Sequence, residues 1–320
     1  MKKLLGIALA SAAAGLCLSA LKKASDEQTV ELSPVKRSSP NKKAILVVSF
    51  RNQDDIGENE LLVVSFGTSY AQTREKTIGA IEEDFRSAFP EYTIRRAFTS
   101  KMIIKKLRER DGIEVDTVAQ ALEKLEAEGY STVICQPTHV MGGFEFDDVK
   151  REVENWKGRF DHIACGWPLL TSSEDYEQVT EALVQEFSNI PSDAALVLMG
   201  HGTEHPANAT YPALDYRLKA RGCKNFFVGT VEGYPDLQTV MQEVAAIHAS
   251  KVFLAPLMVV AGDHAINDLC GEEEDSWKSC FEQAGYQTEP ILKGLGEYPA
   301  FRRIYLEHCV QCIQSLESEQ

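Results

Sequence analysis

The chain is short of positive charge: 33 Lys and Arg stand against 48 Asp and Glu, a net charge of -15 over 320 residues. Nucleic acid is bound through basic faces, so this balance argues against it as a partner. An anionic substrate must then be held locally, by backbone N–H groups or by a few placed cations. A nucleotide fingerprint is also missing. No glycine-rich dinucleotide motif follows any strand-like run, and Gly67-Thr68-Ser69 lacks the lysine of a P-loop. An ATP-driven mechanism therefore has no support. Nor do the eight cysteines look like a disulfide framework, because a domain of this size needs no staples. Cys135 reads as a small buried hydrophobe in a strand. Cys309-Val310-Gln311-Cys312 lacks both the second pair of a zinc site and the βαβ context of a redox motif.

What is present begins with an address. Lys2-Lys3 precede an unbroken apolar run, Leu4 to Leu21, closed by Lys22-Lys23. Residues 1–23 read as a secretory signal or an uncleaved signal anchor. The run is borderline for spanning a bilayer. Leu16 occupies the place where a lipidated cysteine needs a small neighbour, which weighs against lipidation of Cys17. The expectation is an exported, periplasmic or membrane-tethered protein that meets the membrane only through this segment. Without a functional signal it would be cytoplasmic. Residues 24–60 read as a linker plus an extra strand-like segment, Ile45-Leu46-Val47-Val48-Ser49-Phe50, nearly repeated as Leu61-Leu62-Val63-Val64-Ser65-Phe66.

From residue 61 onward, buried-strand runs alternate with amphipathic helical patterns, which predicts an α/β fold with mostly parallel sheets. The pattern restarts near residue 191. Val133, Pro137, Val140 and Gly143 match Val252, Pro256, Val259 and Gly262 at one offset, and Leu62–Gly67 lines up with Ala195–Gly200. Two similar lobes, residues 61–190 and 191–320, then face each other across a cleft. This alignment sets Thr68 opposite His201, Thr99 opposite Glu232 and Glu145 opposite His264.

Ligands of open parallel sheets bind beyond the carboxyl ends of the strands. His201, Glu232 and His264 each stand where a predicted strand of the second lobe runs out. Two imidazoles and a carboxylate there can bind a transition metal or move protons. Asp263, Asn267 and Asp268 are candidates to orient His264. His205 follows His201 by four residues, but Pro206 argues against a helix carrying both. Gly202 lets the backbone turn and a ligand approach. In the first lobe, Gly67-Thr68-Ser69 offers N–H groups and hydroxyls suited to carboxylate or phosphate. His139 ends a strand and either faces the cleft or fills the core.

At these residues the chain resembles the single-subunit, ATP-independent chelatases of tetrapyrrole synthesis, most closely the anaerobic sirohydrochlorin cobaltochelatases. The resemblance rests on Leu62–Ser69, Arg96-Ala97-Phe98-Thr99-Ser100, Met199-Gly200-His201-Gly202, Val231-Glu232-Gly233-Tyr234-Pro235 and Pro256–Asp268, with Asp275–Lys278 and Gly294–Glu297 in support. It implies two α/β lobes with a sirohydrochlorin-type tetrapyrrole in the cleft. His201, His264 and Glu232 take the metal-binding and catalytic places. The metal is a substrate, Co2+ first, with Fe2+ or Ni2+ as alternatives, and no nucleotide is needed. Thr68, Ser69 and Thr99, with Gly67, Gly202 and His139, are the expected tetrapyrrole contacts. A homo-oligomer is left open. The rival from another class is an exported two-lobed protein that captures a metal or tetrapyrrole without turnover.

Overall fold

A computed structural model describes residues 59–318. The predicted signal segment, the linker as far as residue 58 and the extra strand-like run lie outside the described residues. Among those described, no helix is long and apolar enough to cross a membrane.

Among the described residues, eight strands form two four-stranded sheets of the same order. In the first, β1 (Asn59–Ser65), β2 (Tyr92–Phe98), β3 (Thr132–Pro137) and β4 (His162–Cys165) are arranged β2-β1-β3-β4. In the second, β5 (Ala195–Gly200), β6 (Phe226–Thr230), β7 (Lys251–Pro256) and β8 (Gln287–Pro290) are arranged β6-β5-β7-β8. Every pairing is parallel. Two parallel-sheet lobes flanked by helices are what the alternating pattern predicts. β1 starts two residues ahead of its apolar run, because Glu60 is buried at the sheet and lies 3.4 Å from Arg95 Nε.

The helices follow in chain order. Ala71–Arg74, a π turn Glu75–Gly79 and Ala80–Ala88 make one run, α1. Then come α2 (Lys101–Asp111), α3 (Val118–Glu128), α4 (Phe144–Asn155), α5 (Ser173–Glu186), α6 (Thr210–Ala220), α7 (Leu237–Ala246), α8 (Trp277–Gln283) and α9 (Pro299–Ser318). Their ends are written in the sequence. Thr117 and Gln120 form a capping box at the start of α3, and Gly129 closes it with φ +87°.

Alternation along the strands sorts the core into layers. Leu62, Val64, Val133 and Cys135 face α3 and α4 on one outer side. Ala195, Val197, Val252 and Leu254 face α7 and α8 on the other. The alternate residues, Leu61, Val63 and Ile134 with Leu196, Leu198 and Phe253, belong to one shared inner core. α1, α5, α6 and α9 fill it. One core therefore spans both lobes.

The last helix departs from a simple split at residue 190. α9 follows the second sheet in sequence but packs on β3, β4, α1 and α5 of the first half. Its Tyr305 hydroxyl donates to Thr138 O at 2.9 Å. His308, a residue with no evident setting in the sequence, is buried between Trp167 O (3.1 Å) and Asp175 Oδ1 (2.8 Å). The CxxC pair also lies in α9, and Cys309 and Cys312 are buried there as free thiols. Burial pushes the Cys312 thiol up to about 12. That is core chemistry.

The ladder also corrects how the halves correspond. Val64 O accepts from Thr138 N as Met199 O accepts from Leu257 N. Ser65 O accepts from Thr99 N as Gly200 O accepts from Val231 N, and Phe66 O from Ser100 N as His201 O from Glu232 N. Phe66 therefore stands opposite His201, and Ser100 opposite Glu232, where Thr68 and Thr99 were expected. The β3 and β7 match holds, since His139 O and Val140 O pair as Met258 O and Val259 O do. The runs Leu61–Val64 of β1 and Ala195–Met199 of β5 are uniformly apolar, and a slip of two residues leaves every side chain on the same face. The sequence pattern cannot detect such a slip.

Asp175 joins the halves through His308. Burial raises its carboxyl pKa, but the bonds from His308 and from the Ser172 and Thr171 N–H groups outweigh it and leave the pKa below the ordinary carboxylate value. A carboxyl with a depressed folded pKa stabilises above its unfolded pKa and loses that stability on acidification. Asp175→Asn is expected to cost about 3 kcal/mol at neutral pH in denaturant melts. The gap to wild type should narrow as pH falls below about 4. A variant melting with wild type at pH 7 contradicts this role.

Candidate metal centre

Three strands of the second sheet end at one place. His201 follows β5 directly, Glu232 lies two residues beyond β6, and the loop after β7 leads to His264 at the start of a π turn, Ala265–Leu269. Backbone bonds carry the ladder past the strand ends: Val231 N donates to Gly200 O (3.1 Å) and Glu232 N to His201 O (2.8 Å). Glu232 is thereby locked beside His201. Gly202 makes this approach possible, with φ +84° and space so tight that a Cβ would lie 2.5 Å from Gly233 N.

The side chains converge. His201, Glu232 and His264 each offer one ligand atom, all within 4.8 Å of one another. Among the described residues they are the one His/Cys/Asp/Glu group able to hold a metal ion. The two imidazoles meet edge to face, with centroids 4.6 Å apart and planes at 89°. His201 Nδ1 lies 2.8 Å from Gly202 O. A carbonyl only accepts, so Nδ1 carries the proton and Nε2 presents a lone pair. His264 Nδ1 lies 2.7 Å from Asp268 Oδ2, which fixes the same tautomer. Glu232 Oε2 is 3.8 Å from His201 Nδ1. These three side chains are 45%, 58% and 34% exposed for His201, Glu232 and His264, so a dissolved ion reaches them.

Of the candidate orienting groups, Asp268 takes the role, four residues on across the π turn. Asp263 instead accepts from the Tyr70 hydroxyl of the first lobe at 2.8 Å. Beside it, Thr73 Oγ1 reaches Ala261 O at 3.5 Å. His205 shares no helix with His201, because a short 3-10 turn starts at Pro206. Its Nδ1 accepts from Ala207 N (3.0 Å), and its Nε2 lies 3.3 Å from Asp147 Oδ2. Its ring also packs edge-on against Phe144, with centroids 4.9 Å apart. Beside the triad, two groups of contacts thus join the lobes. Tyr70, Phe144 and Asp147 carry no sequence signal for this, since only the folded topology brings them to the second lobe.

The first-lobe candidates are more enclosed. Gly67 has φ +99°, and an added Cβ would lie 2.5 Å from the Phe98 ring. Thr68 and Ser69 are buried. Thr68 Oγ1 accepts from Tyr70 N at 3.3 Å, and Ser69 O accepts from the Arg110 guanidinium. The Thr99 hydroxyl and both ring nitrogens of His139 are buried without a hydrogen-bond partner. Burial pushes the His139 pKa down to about 4 against the opposing pull of the Glu145 carboxylate. His139 is thus a neutral, enclosed imidazole. None of these residues touches the triad directly, although Thr68 borders the loop before His264: a Cβ on Gly262 would lie 3.7 Å from its Oγ1.

The family model for cobalt chelatase (CbiK) matches residues 59–314. The chain belongs to the cobalt chelatase family. It is 44% identical over 259 residues to the sirohydrochlorin cobaltochelatase of Salmonella typhimurium, covering 81% of this chain and 98% of that one. It is 34% identical over 263 residues to the sirohydrochlorin cobaltochelatase CbiKC of Nitratidesulfovibrio vulgaris, covering 80% and 91%. Among solved structures, the sirohydrochlorin chelatase SirB of Bacillus subtilis subspecies spizizenii, in complex with cobalt, aligns with a TM-score of 0.54 at 13% identity. That alignment covers 82% of this chain and 97% of SirB, and it speaks for the fold.

The match to the cobalt chelatase family opens at Asn59, the first residue of β1, and runs into α9. Both sheets and the returning helix are therefore part of the family's domain. Within this chelatase domain Asp268 is the group that sets the His264 tautomer. Asp268→Asn is expected to weaken Co2+ binding about 10- to 100-fold by calorimetric titration, with the circular dichroism spectrum unchanged. Wild-type affinity in that variant would show that the bond does not prepare a ligand.

Proposed function

We propose that this cobalt chelatase inserts Co2+ into sirohydrochlorin, releasing two protons and using no nucleotide. The observation that carries the reading is the pair of imidazoles in one tautomer, with Glu232 beside them, in a chain 44% identical to an enzyme of that name. The incoming ion docks on Nε2 of His201 and His264 and on the Glu232 carboxylate. Such nitrogen and oxygen ligands suit several divalent metals, so the same site would accept Fe2+ or Ni2+, and the family favours cobalt.

Insertion replaces two pyrrole N–H bonds with bonds to metal, so two protons must leave. Both Nδ1 protons are engaged with Gly202 O and Asp268, and both Nε2 lone pairs serve the ion. The oxygen of Glu232 not bound to metal takes the first proton, and an Nε2 freed as the ion passes to the macrocycle takes the second; both then leave to solvent from these part-exposed side chains. The loops holding Gly67, Thr68, Ser69, Thr99, His139 and Gly202 supply the tetrapyrrole contacts. Thr68 and Ser69 are buried, so the Tyr70–Asp263 and His205–Asp147 contacts, and not the shared core, are the ones that must give for their hydroxyls to meet substrate.

The two lysines and apolar run at the start of the chain support a second part of the proposal, export or tethering. Fractionation of cells expressing the full chain should place it in the periplasm or the membrane, and recovery wholly in the cytosol would refute that part. The chemical part is tested anaerobically with purified protein, Co2+ and sirohydrochlorin, following the tetrapyrrole absorption change. His201→Ala and His264→Ala should each lower the insertion rate at least about 100-fold without unfolding the protein. Full activity in both variants would overturn the site assignment. A wild-type rate no faster than the protein-free reaction would overturn the enzyme reading.

A further inference from the structure

The described residues contain twelve arginines, and eleven of them lie within 4.0 Å of a carboxylate. The twelfth, Arg74, is also the one arginine among them that is buried, at 9% exposed. Enclosing a cation without a counter-charge is costly, and buried charges are ordinarily paired. Among the described residues, the one hydrogen bond of its guanidinium runs from Nη1 to Thr68 O at 3.2 Å. Asp111 and Glu75 act on it only from beyond ion-pair distance. Asp111 is already committed to Arg110, which grips it through two bonds of 2.7 and 2.6 Å.

The surroundings add positive charge. Burial first, and then the Arg96 charge, pull the Arg74 pKa down, and Arg110 adds to this. Arg110 also bonds Ser69 O, and Lys106 lies over the Tyr70 ring at 5.9 Å from its centroid. Three cations therefore back the loop Gly67–Tyr70, the segment whose Tyr70 hydroxyl reaches Asp263 beside His264. In a chain of net charge -15, an uncompensated guanidinium at this loop is an exception.

We propose that Arg74, supported by Lys106 and Arg110, is the anchoring cation for a carboxylate arm of the tetrapyrrole substrate. A guanidinium fork matches a carboxylate in two parallel hydrogen bonds, and Arg74 Nη1 already holds the loop carbonyl that frames it. The site explains how an acidic protein binds a polycarboxylate: one neutralised arm fixes the macrocycle's orientation while the triad handles the metal. This inference rests on the substrate reading above.

The test uses Arg74→Gln and Arg74→Lys in the full chain, with three measurements. Binding of metal-free uroporphyrin, a polycarboxylate macrocycle, is followed by fluorescence. Co2+ affinity is measured without tetrapyrrole, and insertion kinetics are measured with sirohydrochlorin. Arg74→Gln should weaken uroporphyrin binding and raise KM about 10- to 100-fold, with kcat within about twofold and Co2+ affinity unchanged. Arg74→Lys, which keeps the charge but loses the fork, should fall between. Uroporphyrin binding at wild-type strength in Arg74→Gln overturns the proposal, as does an equal loss of Co2+ affinity. Should Arg74→Gln fail to fold, wild-type uroporphyrin affinity in Arg74→Lys overturns it. If wild-type protein shows no insertion, the proposed reaction fails, while the uroporphyrin titration still decides the role of Arg74.

Discussion

Two hydrogen bonds on the far side of the imidazoles govern what the site can do. Gly202 O and the Asp268 carboxylate each take an Nδ1 proton, so both rings turn an Nε2 lone pair outward. An imidazole in the other tautomer would present an N–H to the ion and repel it. The first bond exists because the backbone turns at Gly202 in the left-handed region, and the second because a π turn follows His264. π turns inside helical segments are frequent at functional sites. The triad is thus prepared by backbone geometry before any metal arrives.

The two halves share one scaffold and differ in what it carries. Equivalent ladder bonds place Phe66, Ser100 and Glu145 where the second half has His201, Glu232 and His264. Phe66 is 43% exposed at its strand end, so the counterpart of His201 is an aromatic surface. The shared inner core and the return of α9 to the first half hold the two strand-end surfaces in one body. The metal-capable cluster lies on one side, and from the other the Gly67–Tyr70 loop, backed by three cations, reaches Asp263 beside His264 through Tyr70. That division suits a reaction with two substrates of opposite charge.

Much of this was legible in the sequence. Strand-helix alternation gave both sheets, and glycine and threonine marked the ends of α3. His201, Glu232 and His264 stood out because each follows a strand. Four features escaped for physical reasons. The β1-to-β5 register slipped by two because an apolar run carries no mark that a two-residue shift would violate, while the looser β2-to-β6 match slipped by one. The lobe-joining residues Tyr70, Phe144, Asp147 and His205 are polar and aromatic groups in loops and first turns, whose partners lie far away in sequence. The exposure of Thr68 and Ser69 was overestimated because a strand end reads as open, while both residues are buried here; for His139, left open between cleft and core, both ring nitrogens are enclosed. His308 looked ordinary until α9 folded back over Asp175.

The central claim is that a divalent metal is held by two imidazole nitrogens and one carboxylate at the ends of β5, β6 and β7. X-ray absorption at the cobalt edge of the Co2+-loaded full chain tests it most directly. The account predicts scattering from two imidazole rings in wild type, one in the His264→Ala variant and none when His201 is also replaced. A cobalt environment without imidazole in wild type, or one unchanged in the double variant, would contradict it.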